Sequence, residues 1–230
     1  MKILAIDSCM NTSSVAILEN ENLVALYTVN TDNTHSETLL PMIRDALKAA
    51  DMKAEDIDAY GVSYGPGSFT GVRIGVATVK GLAFGTDKPC VEISTIEALA
   101  RNLEGFDGIV CPVMNARRGQ VYTGVFKDGR RLMDDSCMML DNLIPILEGY
   151  NEKIYFVGDG YFLAEKKEIK NMGVTPESLR YASGYSVGIL TYEKIKNNEA
   201  VSDSDIRVNY LRKPQAERER EERLMKEGKI

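Results

Sequence analysis

The stretch 63–75, Ser-Tyr-Gly-Pro-Gly-Ser-Phe-Thr-Gly-Val-Arg-Ile-Gly, limits the fold more tightly than any other. It follows an apolar run, 57–62, that reads as a strand. Gly65-Pro66-Gly67 must then break secondary structure, because the glycines tolerate positive φ and Pro66 lacks a backbone donor. From Ser68 to Gly85 the pattern predicts a helix, despite glycines at 71, 75, 81 and 85. Each interior glycine costs about 1 kcal/mol relative to alanine, so something must offset them. Gly67, Gly71 and Gly75 lie four apart, as do Ala77, Gly81 and Gly85. Residues at that spacing share a helical face, and each series makes a groove that a second backbone can approach. The groove fits packing within the chain's own domain or against a helix of another chain. A phosphate-binding loop is the third reading. Against it, no Gly-x-x-x-x-Gly-Lys-Ser/Thr occurs, and Gly65-x-Gly67-x-x-Thr70 lacks the third glycine of a dinucleotide fingerprint.

Composition removes several classes of function. At 230 residues the chain can bury a large core, as one domain or two. A net charge of −6 disfavours gripping nucleic acid alone, which needs clustered Lys and Arg. No apolar run reaches the roughly 18 residues of a membrane span. The first residues lead into a strand without a signal-peptide pattern, so cytoplasmic location is the expectation. Cys9, Cys90, Cys111 and Cys137 form no C-x-x-C pair, which argues against structural zinc or a disulfide framework. A single histidine, His35, excludes a multi-imidazole metal site, and no Gly-x-Ser-x-Gly elbow accompanies it.

In chain order, runs at 3–6, 15–18 and 23–29 predict an antiparallel meander. Asp7-Ser8 and Ser13-Ser14 frame a hydroxyl-rich link that suits either a metal-bound phosphate or a plain hydrogen-bonded turn. Thr34-His35-Ser36-Glu37 is a capping box for a helix with an apolar face at Leu39, Leu40, Met42, Ile43, Ala46, Leu47 and Ala50. Pro41 should kink or restart that helix. After the glycine-rich helix come a strand at 90–93 and a helix opening with a second capping box, Ser94 to Glu97. A second meander then follows at 108–114, 120–126 and 131–133, with a helix at 140–149 and a strand at 153–157. A Gly158-Asp159-Gly160 turn leads to helices at 161–171 and 183–198. The fold class is therefore α/β, with the second half a shortened copy of the first in element order. Expected domains are 1–105 and 106–212, with the last helix of the second able to pack back on the first. A charged tail at 213–230 is expected to be a frayed extension. Arg117-Arg118, between the first two strands of the second meander, suits an anion, an acidic partner or a solvated turn.

Two meander-plus-crossover halves resemble the actin-like ATPase superfamily, with two ribonuclease-H-like domains flanking a nucleotide cleft. Five stretches, in order, sharpen this: Ile3-Leu4-Ala5-Ile6-Asp7-Ser8, His35 to Met42, Gly65 to Gly75, Ala116 to Tyr122 and Tyr210-Leu211-Arg212. Together they resemble the TsaB (YeaZ) family. The resemblance implies a non-catalytic bacterial subunit needed for threonylcarbamoyl transfer to adenine 37 of tRNA. It implies as partners the transferase TsaD, the ATPase TsaE, a second copy when TsaD is absent, and tRNA through the complex. The transferase relative holds its metal with His-x-x-x-His, whereas here His35 is followed by Leu39, so no metal and no catalytic residue are expected. The implied partner interface comprises His35, Leu39, Leu40, Met42, Ile43, Gly67, Ser68, Phe69, Thr70, Gly71, Arg73, Gly75 and Val79. Asp7, Ser8, Ser13, Ser14, Gly158, Asp159 and Gly160 are the positions of a vestigial nucleotide site. ATP or ADP with magnesium at the interface with TsaD is the one cofactor left open. An ATPase or kinase active on its own is the competing reading. A glycopeptidase lacks both triad and metal residues. The family's Asp before Ala-Arg is replaced by Asn115.

Overall fold

A computed structural model of the chain describes residues 1–31 and 33–212. The charged tail 213–230 lies outside them. The first sheet contains β1 (Lys2–Asp7), β2 (Thr12–Glu19), β3 (Asn22–Asn30), β4 (Ala59–Gly65) and β5 (Cys90–Ser94), in the order β3-β2-β1-β4-β5. The meander strands pair antiparallel, and β4 and β5 add in parallel beside β1. Helices α1 (His35–Ala49), α2 (Phe69–Ala83) and α3 (Thr95–Arg101) supply the connections. The second sheet contains β6 (Ile109–Asn115), β7 (Gln120–Lys127), β8 (Arg130–Met139) and β9 (Ile154–Val157), in the order β8-β7-β6-β9. It repeats the first arrangement without a fifth strand, and its helices are α4 (Leu140–Glu148) and α5 (Tyr161–Ala164). The chain is α/β, with two ribonuclease-H-like sheets, the second reduced.

Strand alternation decides which helix covers which face. Successive side chains point to opposite sides of a sheet. Leu4 and Ile6 of β1 join Val15, Ile17, Tyr60 and Val62 under α1 and α2. Ile3 and Ala5 face the other way, where the final helix α6 (Gly184–Lys196) contributes Val187, Ile189 and Leu190. Gly188 lets α6 lie close, since a Cβ there would collide with Leu18. The main core continues past α3 into the second half, through Ile96 and Leu99 to Val110, Met114 and Phe126. A separate cluster under the second sheet joins Ile109, Cys111 and Phe156 to Leu140, Leu143, Leu147, Tyr161 and Ala164.

Several local expectations are corrected. The predicted helix at 161–171 is a single turn, Tyr161–Ala164. The reason is an unfilled strand edge: Ile154 N–H donates to Asn171 O (2.9 Å) and Gly173 N–H to Ile154 O (2.7 Å). Pairing with β9 outweighs helix propensity there. Strand β8 runs to Met139 rather than 133, because pairing with β7 continues through bulges. Helix α1 is continuous through Pro41, which is exposed in its second turn while Leu39, Met42, Ile43 and Ala46 stay buried. The link after Asp7 is shorter than read, because β2 already starts at Thr12. No helix among the described residues is long and apolar enough to cross a membrane.

Candidate docking face and interdomain cleft

The stripe Gly67, Gly71, Gly75 is filled by this chain's own backbone. A Cβ on Gly71 would collide with the Ser8 carbonyl oxygen, one on Gly67 with Cys9, and one on Gly75 with the Ser8 hydroxyl. Hydrogen bonds hold the pieces together. Ser8 Oγ donates to Gly71 O (2.9 Å), Ser68 N–H to Cys9 O (2.8 Å), and Gly71 N–H to the capping Ser68 hydroxyl (3.3 Å). For this stripe, packing within the domain is therefore the correct alternative. His35 ties the same loop to α1. Its Nε2 donates to Met10 O (2.7 Å), which leaves Nδ1 to meet Ser13 Oγ (2.6 Å).

Burial sorts the thirteen residues implied for the interface. Leu39, Met42, Ile43, Gly71, Gly75 and Val79 are buried, and His35 and Gly67 are half-buried. Leu40, Ser68, Phe69, Thr70 and Arg73 are exposed. The second stripe behaves differently. Ala77 and Gly81 are exposed, nothing lies within 4 Å of a Cβ built on Gly81 or Gly85, and Phe84 is 80% exposed. Arg73, Ala77, Gly81 and Phe84 follow one another at helical spacing along the outer side of α2. On α1, which packs beside α2, Leu40 (57% exposed) and Pro41 are further exposed apolar residues.

At the N-terminal end of α2 the Arg73 guanidinium lies 3.7 Å above the Phe69 ring, and its Nε donates to Tyr210 Oη (2.6 Å). The Phe69 and Tyr210 rings stack, with centroids 5.2 Å apart. Tyr210 belongs to a strap, 201–212, that starts at the edge of β5 through reciprocal Val201–Cys90 hydrogen bonds. The strap passes Tyr64, whose carbonyl accepts from Asn209 N–H (2.8 Å). At Arg212 it reaches the second half, where a guanidinium N–H donates to Ala116 O (2.6 Å). Sequence reading singled out Tyr210 and Arg212 as motif residues but missed the stack and the crossing. Contacts 137 residues apart leave no periodic signal.

The strap forms one wall of a cleft of about 500 Å³ between the two halves. Its other walls are Cys9 to Asn11, Pro66 to Thr70, Met114 to Arg117, Tyr122 and Asp159. The residues of the vestigial nucleotide site are mostly sealed below it. Asp7 is fully buried, and burial pushes its carboxyl above the ordinary value, although the Cys9 N–H (3.0 Å) favours the anion. Its Oδ2 and the neighbouring Ser63 Oγ have no partner among the described residues. Ser8 is bound to Gly71, Ser13 to His35, and Ser14 to Thr28 Oγ1 (2.8 Å) and Gly184 N–H (2.8 Å). A phosphate would need those hydroxyls free, so the set does not fit a metal-bound phosphate. Gly158 and Gly160 press on the Val113 carbonyl. Asp159 reaches the cleft, accepts from Asn115 N–H (2.9 Å) and is raised by burial. The Asn115 side-chain oxygen accepts from Arg117 N–H (2.9 Å) and holds the turn in which Arg117, Arg118 and Gly119 all take positive φ. Among the described residues no group of three or more His, Cys, Asp or Glu could hold a metal ion.

Comparison with known proteins agrees with this architecture. Residues 29–177 match the family model described as TsaD: tRNA N6-adenosine threonylcarbamoyltransferase. A Bacillus subtilis protein named tRNA threonylcarbamoyladenosine biosynthesis protein TsaB is 38% identical over 162 residues, 69% of this chain and 71% of that one. The Haemophilus influenzae protein of the same name is 28% identical over 92% of this chain and 94% of its own length. The solved structure of YeaZ from Pseudomonas aeruginosa is similar with a TM-score of 0.76 at 25% identity, covering 91% of this chain and 99% of that one. The chain belongs to the family of that transferase model and, within it, to the TsaB proteins of tRNA threonylcarbamoyladenosine biosynthesis.

Proposed function

We propose that this chain is an accessory subunit that docks the catalytic TsaD-type transferase through the outer faces of α1 and α2. The observation that carries this reading is the open stripe of Ala77, Gly81 and Phe84, with Phe69, Thr70 and Arg73 exposed at the N-terminal end of α2 and Leu40 exposed on the neighbouring α1. A flat centre of small side chains admits a partner helix at short range, and exposed Phe and Leu residues supply anchors. The buried residues of the implied interface support this surface from beneath. In the absence of the transferase the same face pairs with a second copy. The ATPase TsaE and tRNA join through the complex, in the cytoplasm, and a nucleotide with magnesium belongs at the interface with the transferase rather than on Asp7. The chain divides near residue 105 into a first domain that carries the docking face and a second, smaller one, with α6 serving the first.

The test is reconstituted tRNA threonylcarbamoylation with and without this chain. Product formation should require it, while the chain alone should hydrolyse no ATP. Full modification without it, or ATP hydrolysis by the chain that Asp7→Asn abolishes, would overturn the accessory reading.

A further inference from the structure

We propose that Arg73 is the specificity residue of the docking face, reading a carboxylate on the transferase. This rests on α2 being the docking surface. Three observations carry it. Arg73 is exposed, yet among the described residues it makes no ion pair; its guanidinium meets the Phe69 and Tyr210 rings and the neutral Tyr210 hydroxyl. It is also fixed in place. Phe69 covers one face at 3.7 Å and the phenol oxygen ties Nε, so the Nη edge alone is left for a ligand. An arginine held this way loses little side-chain entropy on binding, and its planar fork matches a carboxylate bidentately. Finally, Arg73 shares a helical face with Ala77, Gly81 and Phe84, so a helix laid along that stripe passes its edge.

A phosphodiester is the rival anion. Nucleic-acid backbones are gripped by several cations in a row. Here one guanidinium edge stands at the end of an apolar stripe on a chain of net charge −6. That pattern fits a single charge pair that fixes register within an apolar interface, as charged groups at interfaces do. Tyr210 is then a positioning residue: it sets the plane of Arg73 and links it to the strap that walls the cleft.

The experiment is calorimetric titration of this chain with its TsaD-type transferase at low and high salt. Wild type should weaken as salt rises. Arg73→Gln should bind roughly tenfold or more weakly at low salt and lose the salt dependence. Arg73→Lys should recover only part, because an ammonium neither stacks nor forks. Tyr210→Phe, which keeps the ring and removes the acceptor, should fall between Arg73→Gln and wild type. Unchanged affinity for Arg73→Gln, or a loss that persists with the wild-type salt dependence, would overturn the proposal. So would unchanged transferase affinity combined with weaker tRNA binding by the assembled complex, which would assign the guanidinium to phosphate. Gly81→Leu separates the two readings. If it binds normally, the docking face itself is wrong; if it abolishes binding and Arg73→Gln does not weaken it, only the role of Arg73 fails.

Discussion

Helix α2 carries two stripes of small residues at the same spacing, and they do opposite things. Gly67, Gly71 and Gly75 face inward, where the Ser8–Cys9 backbone lies against them. Ala77, Gly81 and Gly85 face outward, with open space beyond the two glycines. Each inner glycine is needed because a side chain would displace the loop after β1. Gly85 follows the cap of the helix at φ +71°, a conformation that suits glycine, so of the outer three only Gly81 carries the helix-interior cost of glycine, and nothing lies within 4 Å of a Cβ built there. Under the proposed docking, Gly81 keeps that cost on an exposed face so that a partner helix can approach closely. Identical spacing therefore does not identify a partner; what the stripe faces does.

Gly71→Ala should produce the largest effect on stability. Helix propensity alone favours alanine by about 1 kcal/mol, but the new Cβ meets a backbone carbonyl, which cannot swing aside as a side chain can. We expect a net loss of about 1–3 kcal/mol, read as a lowered denaturation midpoint. A neutral or stabilised Gly71→Ala would show that the inner stripe is not tightly filled. Next in size is Gly81→Leu, which should leave the melting temperature close to wild type and weaken transferase binding by roughly tenfold or more. Binding measured by titration with stability checked in parallel separates the stripes, since Gly71→Ala should act on the fold first. Smaller still, Gly81→Ala should raise stability by up to about 1 kcal/mol, because the Cβ meets nothing. If Gly81→Ala destabilises the chain, the outer stripe has an internal role and the contrast fails.

Much of this was legible in the sequence because it is local. The runs around β1 and β4, the Ser94 cap and the Thr34–Glu37 cap all follow from residues within a few positions of one another. Glu37 does accept from Thr34 N–H (3.1 Å), and Ser94 Oγ from Glu97 N–H (3.3 Å). The spacing of the two stripes was legible too, but not their orientation, which depends on where the Ser8–Cys9 loop folds back. The site residues divide in the same way. Leu39 and Val79 lie on apolar helix faces, and the sheet takes them before any partner can. The Phe69–Arg73–Tyr210 stack joins residues 137 apart, and the premature end of α5 depends on the free edge of β9. Neither has a counterpart in local propensity.

Asp7 gives the smallest and most discriminating test, because it directly precedes the loop that fills the inner stripe. Its carboxyl is raised by desolvation, with the Cys9 N–H opposing. A carboxyl whose folded pKa lies above its unfolded value contributes its full stability below the unfolded pKa, near 4, and loses it as pH rises through the folded pKa. Asparagine is isosteric, still accepts from Cys9 N–H and offers an amide donor beside the Ser63 hydroxyl, which has no partner among the described residues. The melting temperature of Asp7→Asn should therefore gain on wild type as pH rises from about 4 towards neutrality, and the gap should stop widening above the folded pKa. A gap that widens toward acid instead would mean that the carboxylate is stabilised where it sits. The same variant probes function. If the inner side of α2 is scaffolding, Asp7→Asn should support tRNA threonylcarbamoylation at the wild-type rate once folded. Loss of modification with the fold and transferase binding intact would put chemistry on the inner side, and the division between an inner structural stripe and an outer docking stripe would break.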